Sequence, residues 1–222
     1  MSEPPRSESP SPYDLFLIPP PPPLSPEDGL WLLRVACETL QRHFQGLGSE
    51  DPAHRPGPVG QPASVFVSVY SSGSLRGCLG ALEPSEPIWR SVQRMVLAAA
   101  SVDPRFEPIQ ASETGTLSVE ITVLGPRTDL PRTTPEDTLR AIRIGEHGLS
   151  VRAEGRSGLL LPQVGSRWGW DARRFLEETC KKAGLPGDAW LLIETEVRAF
   201  QGIKFHGDVG PSGLAGESSQ LV

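Results

Sequence analysis

The chain has 222 residues, including 23 glycines and 24 prolines, with a formal net charge of −6 and 37% hydrophobic residues. Average use of glycine and proline together would be roughly 12%, and 14 of the 24 prolines fall within residues 1–62. The excess is therefore concentrated in segments that flank one globular body. The acidic charge argues against a protein that coats DNA by charge alone, and no apolar run approaches the roughly 18 residues that span a bilayer.

The cysteines and the N-terminus exclude further classes of protein. Cys37, Cys78 and Cys180 are too few for a disulfide framework and too widely spaced for a zinc-binding pair. The first residues lack the basic start and apolar stretch of a signal peptide, which predicts a cytoplasmic protein. No metal-ligand or phosphate-binding motif is present, so we predict no metal and no cofactor.

The first elements are a leader and a helix. Residues 1–24 are rich in proline and are predicted to be poorly ordered, with a polyproline II run at residues 19–23. Ser25, followed by proline and two acids, is typical of a helix start. Apolar residues at spacings of three and four then continue the helix to about residue 47, and they place Cys37 in the core.

A proline–glycine linker at residues 51–62 precedes the rest of the body. In chain order we predict a hairpin (65–70 and 75–82), a helix (88–101), a strand (116–124), a short helix (134–142), a second hairpin (149–153 and 159–161), a helix (171–183) and two strands (191–198 and 203–205). Hairpins interspersed with helices, without a βαβ repeat, indicate an α+β fold. The glycine-rich tail, residues 207–222, is predicted to be disordered.

The segment at residues 75–80 (LRGCLG) is the most unusual in the chain, because glycines flank a cysteine in a strand-like stretch. Arg76 could lower the pKa of the Cys78 thiol and hold it ready for nucleophilic or redox chemistry. The alternative is that Cys78 is a small buried residue and that Arg76 forms a structural ion pair. The pattern leaves both readings open.

A thiol nucleophile needs a base, and His147 is the candidate that the sequence offers. It lies between Gly145 and Gly148, which predicts an exposed turn, and it could serve there as an acid/base partner or as a turn residue that tolerates positive φ. His206 stands at the boundary of the tail. Two further residues, Trp168 and Trp170, could stack on nucleic-acid bases or lie in the core.

Six segments together resemble the AMMECR-type domain, which in prokaryotes is called AmmeMemoRadiSam system protein A. The resemblance covers about residues 25–206, which we take as the domain. The segments agree with the family in order and approximate spacing: FVSV at 66–69, LRGCLG at 75–80, DPRF at 103–106, IGEHGL at 144–149, GLLLPQV at 158–164 and FLEETCKKAGL at 175–185.

The resemblance implies a compact two-lobed α+β fold, largely antiparallel sheet with flanking helices, and a cleft between the lobes. It also implies site residues: Arg76, Gly77, Cys78 and Gly80 from the cysteine motif, the histidine of the IGxHGL segment at His147, and Gln163. Relatives tend to carry an acid after LLLPQV, whereas this chain has Gly-Ser-Arg at 165–167, so no acid/base role is carried over to that position.

The function implied is that of an accessory or binding protein associated with Memo-like and radical-SAM proteins. Its cleft around the LRGCLG motif would hold a small anionic ligand, through Arg76, Gly77, Gly80 and Gln163, or a segment of a partner. The alternative is a cysteine-dependent enzyme that uses Cys78 with His147 as catalytic residues. A second alternative, a nucleic-acid-binding module, is disfavoured by the acidic charge.

Overall fold

The computed structural model describes residues 17–52, 57–210 and 213–221. Its elements in chain order are α1 (Pro26–Phe44), β1 (Ser64–Ser71), β2 (Ser74–Ala81), α2 (Ile88–Ser101), β3 (Leu117–Leu124), β4 (Thr128–Asp129), α3 (Pro135–Arg140), β5 (Gly148–Ala153), β6 (Arg156–Leu160), α4 (Pro162–Arg167), α5 (Ala172–Lys182), β7 (Glu196–Phe200), β8 (Gly202–Gly210) and β9 (Gly213–Leu221). They form two antiparallel sheets with flanking helices. The predicted α+β class is confirmed.

The chain divides into two compact units. The larger unit comprises Pro20–Pro126 and Gln201–Val222. Its five-stranded sheet has the order β2-β1-β3-β8-β9. Alternate residues of β1, namely Val65, Val67 and Val69, are buried in one core cluster with apolar residues of α1 and α2, so the intervening residues of β1 point to the opposite face of the sheet.

Of the described residues, the smaller unit comprises residues 17–19 and Arg127–Phe200. Its four-stranded sheet has the order β4-β7-β5-β6. Apolar residues of α5, including Phe175 and Leu176, share a separate core cluster with residues of β5 and β7. Each unit therefore has its own hydrophobic core.

Local capping explains why several predicted helices begin where they do. Ser25 accepts the N–H of Asp28 while the Asp28 carboxylate accepts the N–H of Ser25, which forms a capping box at the start of α1. Thr134 and Asp137 make the same exchange at α3, and the Asp171 side chain caps α5. These bonds satisfy N–H groups that have no partner within the helix.

The structure differs from the prediction at the tail and at one strand. A disordered tail is predicted from residue 207, but β8 continues to Gly210 and pairs with β9, because ladder hydrogen bonds use only the backbone and form even where side chains are small. The strand predicted over 191–198 begins only at Glu196, and a 3₁₀ turn occupies Ala189–Leu191. Most of the predicted leader, residues 1–16, and residues 53–56 of the linker lie outside the described residues.

Candidate functional site

The cysteine motif forms most of β2, the strand at one edge of the five-stranded sheet. Antiparallel pairing sets Cys78 opposite Ser68 of β1 and Gly80 opposite Phe66. A register shift follows, between Val69 and Tyr70 of β1. The motif therefore lies in regular sheet from Gly77 to Gly80, whereas Arg76 falls at the irregularity. Among the described residues no strand pairs with the outer side of β2.

Close packing explains two glycines of the motif. A Cβ at Gly77 would lie 1.9 Å from the backbone oxygen of Ala99 in α2, and a Cβ at Gly80 would lie 2.4 Å from the Phe66 ring. Both distances are well inside van der Waals contact, so any larger residue would push the helix or the ring away. Their packing role is independent of any ligand.

Asp103 and Arg105 hold the backbone of Cys78 from the outer edge of β2. The Asp103 carboxylate accepts the Cys78 N–H at 2.8 Å, and the Arg105 guanidinium donates to the Cys78 carbonyl at 2.9 Å. The same guanidinium donates to both carboxylate oxygens of Asp103, at 2.9 and 2.7 Å. These bonds, first the one from Arg105, hold the pKa of the buried Asp103 carboxyl well below its usual value. We call these two residues the Asp103–Arg105 clamp.

Arg76 forms an ion pair with Glu113 and also donates to the Glu107 carbonyl at 3.2 Å. The pKa of Glu113 is lowered, chiefly because its carboxylate accepts the Gln110 N–H and then because of Arg76. The structural reading of Arg76 is therefore confirmed. Its role in ligand binding stays a prediction, as do those of Gly77 and Gly80.

The face of the sheet opposite α1 and α2 carries a line of polar residues at one level. Cys78 of β2 is opposite Ser68 of β1, Ser68 is opposite Glu120 of β3, and Glu120 is opposite His206 of β8. Directly opposed residues of antiparallel strands share a face, with Cβ atoms about 5 Å apart. We call Cys78, Ser68, Glu120 and His206 the polar row. All four belong to the larger unit, and Cys78 and His206 are separated by three strand spacings, about 14 Å.

Carboxylates accompany the basic side chains on this face. The Lys204 ammonium lies 3.3 Å from the Glu120 carboxylate, and His206 Nε2 lies 3.7 Å from that of Asp208. The side chains of Lys204 and Glu120 are largely buried, whereas that of His206 is more open. A ligand of the polar row would therefore meet one ion pair and several hydrogen-bonding groups.

His147 is placed differently from the sequence-based prediction. It is only 2% exposed, so the prediction of an exposed turn is wrong. Its Nδ1 accepts the Arg143 N–H at 3.2 Å, and its own N–H donates to the Arg143 carbonyl at 2.9 Å. Burial, followed by the charge of Arg143, lowers the pKa of His147. The glycines on either side suggested a turn, but a single sequence does not reveal the nonlocal packing that buries the ring.

Gln163 lies in the first turn of α4, a helix that the sequence analysis did not predict. Its Oε1 is buried and accepts no hydrogen bond from the residues that the structure describes. Gln163 and His147 belong to the smaller unit, whereas Arg76 and Cys78 belong to the larger one. The catalytic pairing of Cys78 with His147 and the ligand-binding role of Gln163 stay predictions.

Sequence reasoning did not group Ser68, Glu120, Lys204 and His206 with the cysteine motif. Their alternation within β1, β3 and β8 was readable, since it predicts polar side chains on one face of each strand. The order of the strands was not readable, because β8 joins β3 only after the whole smaller unit has intervened in the chain. That order is what aligns His206 with Cys78.

Comparison with known proteins assigns the chain to a family. The AMMECR1 family model matches residues 33–205. The chain belongs to the AMMECR1 family. A protein of Methanothermobacter thermautotrophicus is 40% identical over 187 residues, which are 84% of this chain and 97% of that protein. The protein NEQ441 of Nanoarchaeum equitans is 39% identical over 178 residues, covering 80% and 99% of the two chains.

The AMMECR1 fold is also found in a crystal structure, that of the uncharacterized protein PH0010 from Pyrococcus horikoshii. It matches with a TM-score of 0.81 and 35% identity, and the match covers 90% of this chain and 99% of that one. Within the described residues of this AMMECR1 domain, no three His, Cys, Asp or Glu residues are grouped so that they could hold a metal ion. The helices among those residues are too short or too polar to cross a membrane.

Proposed function

We propose that this AMMECR1 domain is an accessory binding protein whose ligand site is the polar row. The observation that supports this most directly is the alignment of Cys78, Ser68, Glu120 and His206 on one face of the five-stranded sheet. The row extends the site from the cysteine motif to residues far along the chain. A thiol, a hydroxyl, a carboxylate and an imidazole side by side provide both donors and acceptors for a polar ligand.

The ligand we propose is a small anion or an acidic partner segment. Lys204 supplies a cation beside the row, and Arg76 supplies a second cation on the same strand as Cys78. Each is already paired with a carboxylate, Glu120 or Glu113. An anion would therefore compete with these acids, and the proposal makes the strength of binding depend on Glu120.

Glu120→Gln tests this dependence. The variant keeps the size of the side chain and one acceptor oxygen but removes the charge that pairs with the Lys204 ammonium. Inorganic phosphate, pyrophosphate or citrate should therefore raise the thermal midpoint more than in the wild type. Glu38→Gln, an exposed change on α1, is the matched control because it changes net charge equally. If no anion stabilises either protein, or if both variants respond alike, the anionic-ligand proposal fails.

A partner protein is the second form of the same proposal. The accessory role would associate this chain with a Memo-like protein and a radical-SAM protein. Purified candidates should bind the wild type, and His206→Asn, which changes one end of the row, should weaken that binding. Equal binding by wild type and variant would separate the partner surface from the polar row.

The second candidate function is that of a cysteine-dependent enzyme with Cys78 as nucleophile. It is favoured by the accessibility of this thiol, since Cys37 and Cys180 are buried whereas Cys78 is partly exposed. The Asp103–Arg105 clamp fixes its backbone, as a preorganised nucleophile requires. The base proposed from the sequence is His147.

The pH dependence of alkylation tests the enzyme. A catalytic thiolate should react with iodoacetamide with a midpoint well below the roughly 8.5 of a free thiol. His147→Asn should shift that midpoint if His147 is the base. A midpoint near the ordinary value in both proteins would reject the nucleophile.

A further inference from the structure

A run of five prolines, residues 19–23, precedes α1 and takes no part in the polar row. Its last four residues belong to the larger unit. Pro20, Pro21 and Pro22 each precede another proline, which disfavours the α region of the backbone, and every proline fixes its own φ near −65°. The run is therefore a polyproline II helix, an extended structure with three residues per turn.

Burial differs between the sides of this polyproline II helix. Pro21 is buried and Pro22 is half-buried, whereas Pro20 and Pro23 are both exposed. Residues three positions apart lie on the same side of a polyproline II helix. One side therefore packs on the domain, and the side that carries Pro20 and Pro23 faces solvent. We call Pro20 and Pro23 the proline ridge.

The backbone of the run is held on the larger unit at both ends of the proline ridge. A Cβ added to Gly125 would lie 2.9 Å from the Pro21 nitrogen and 3.0 Å from the Pro20 carbonyl oxygen, so the run packs closely on that glycine. The Leu24 N–H donates to the Pro22 carbonyl at 2.7 Å, which turns the chain after Pro23. The Leu24 side chain then enters the core cluster of the larger unit. A segment that is already ordered loses little conformational entropy on binding.

The chemistry of the proline ridge indicates what can bind it. Residues 15–26 contain no charged side chain. Phosphates of nucleic acids and anionic lipid headgroups are bound by Lys and Arg, which this segment lacks. Exposed prolines three positions apart on a polyproline II helix are, by contrast, the feature that aromatic-lined protein grooves recognise. The proline ridge therefore fits a protein groove better than a membrane or a nucleic acid.

We propose that the proline ridge docks into an aromatic-lined groove on a partner protein, of the kind that binds polyproline II ligands. The run lies before residue 33, where the match to the AMMECR1 family model begins. It would therefore give this chain a contact that the matched domain does not supply. The proline ridge shares no residue with the polar row, so it goes beyond the function proposed above.

Purified SH3, WW and EVH1 domains, which carry such grooves, are the probes that test the proposal. Biolayer interferometry measures the binding of each domain to the full chain and to a synthetic peptide of residues 15–26. We expect at least one of these domains to bind the full chain, because the fold leaves the proline ridge exposed. A domain that bound the peptide but not the full chain would show that packing on the larger unit hides the prolines, and it would overturn the proposal.

Two double variants of the full chain locate the contact. Pro20→Ala with Pro23→Ala removes the proline ridge, and Pro84→Ala with Pro108→Ala is the matched control, because these two prolines are also exposed in the larger unit. The first variant should weaken binding about tenfold or more, whereas the control should not, and thermal melts check that both are folded. Binding by none of the domains, equal binding by the two variants, or self-association of the full chain that the first variant abolishes would overturn the proposal.

Discussion

The Asp103 carboxylate accepts the backbone N–H of Cys78 at 2.8 Å, although 25 positions separate the two residues in the chain. Arg105 completes the contact by donating to the Cys78 carbonyl. The clamp thus satisfies, with side chains, the N–H and the carbonyl of Cys78, which point away from β1 at the edge of the sheet. Such groups otherwise invite pairing with another chain. It also fixes the strand that carries the thiol.

We expect Asp103→Asn to lower the free energy of unfolding by about 1–3 kcal/mol. Asparagine can still accept one hydrogen bond, but it removes the charge that binds Arg105 at this buried position. Denaturant unfolding measures the loss. Asp129→Asn is the control, since it changes the same residue type in an exposed pair with Arg198, and it should cost no more than about 0.5 kcal/mol.

We also expect the stabilisation by Asp103 to depend on pH. The pKa of Asp103 is depressed in the folded protein, first by the hydrogen bond from Arg105, so its stabilisation is present above the unfolded pKa near 4 and is lost as pH falls toward the folded pKa. The difference in unfolding free energy between wild type and Asp103→Asn should therefore be constant from about pH 5 upward and shrink in stronger acid. A difference that grows below pH 4 would contradict the assignment.

Cys78 should be the thiol that reagents modify in the native protein. Cys37 and Cys180 are each 0% exposed, and burial raises the pKa of Cys37 to about 12 and also raises that of Cys180. Iodoacetamide followed by mass spectrometry of peptides should find Cys78 alkylated at least about tenfold faster than either. Denatured protein, in which all three react, is the control. If Cys37 were alkylated in the native protein about as fast as Cys78, the burial of Cys37 in α1 would be wrong.

The sequence predicted what local signals specify. Ser25 and Thr134 indicate where helices begin, because the hydrogen bonds that cap these helices join residues only three positions apart. The alternation in β3 likewise shows which of its side chains share a face. By contrast, the polar row depends on which strands become neighbours, and the burial of His147 depends on distant packing. Residues 191–193 fit a strand pattern, but their backbone lies in turns whose carbonyls accept hydrogen bonds from Arg132, about 60 positions earlier.

Gly77→Ala should destabilise the protein by about 1–3 kcal/mol. The new Cβ would meet the backbone of Ala99 at 1.9 Å, and a helix backbone cannot rotate away as a side chain can. Gly48→Ala is the control because a Cβ there meets nothing within 4 Å. Unfolding of both variants in denaturant tests this. If both variants lost the same small amount of unfolding free energy, α2 would not pack on β2 this closely.

His147 should make stability depend on pH near neutrality. Burial, followed by the charge of Arg143, lowers its pKa below the usual value of about 6.5. The unfolded chain therefore takes up a proton at a pH where the folded protein does not, and stability falls as pH drops from about 6.5 toward the folded pKa.

In His147→Asn, which can still accept the Arg143 N–H, unfolding free energies measured at pH 7.5 and 5.0 should differ less than in the wild type. His147→Phe should show the same reduced slope but lower stability at pH 7.5, because it leaves that N–H without an acceptor. If both variants kept the wild-type dependence of unfolding free energy on pH, His147 would have the same pKa in the folded and unfolded protein, and the prediction would be wrong.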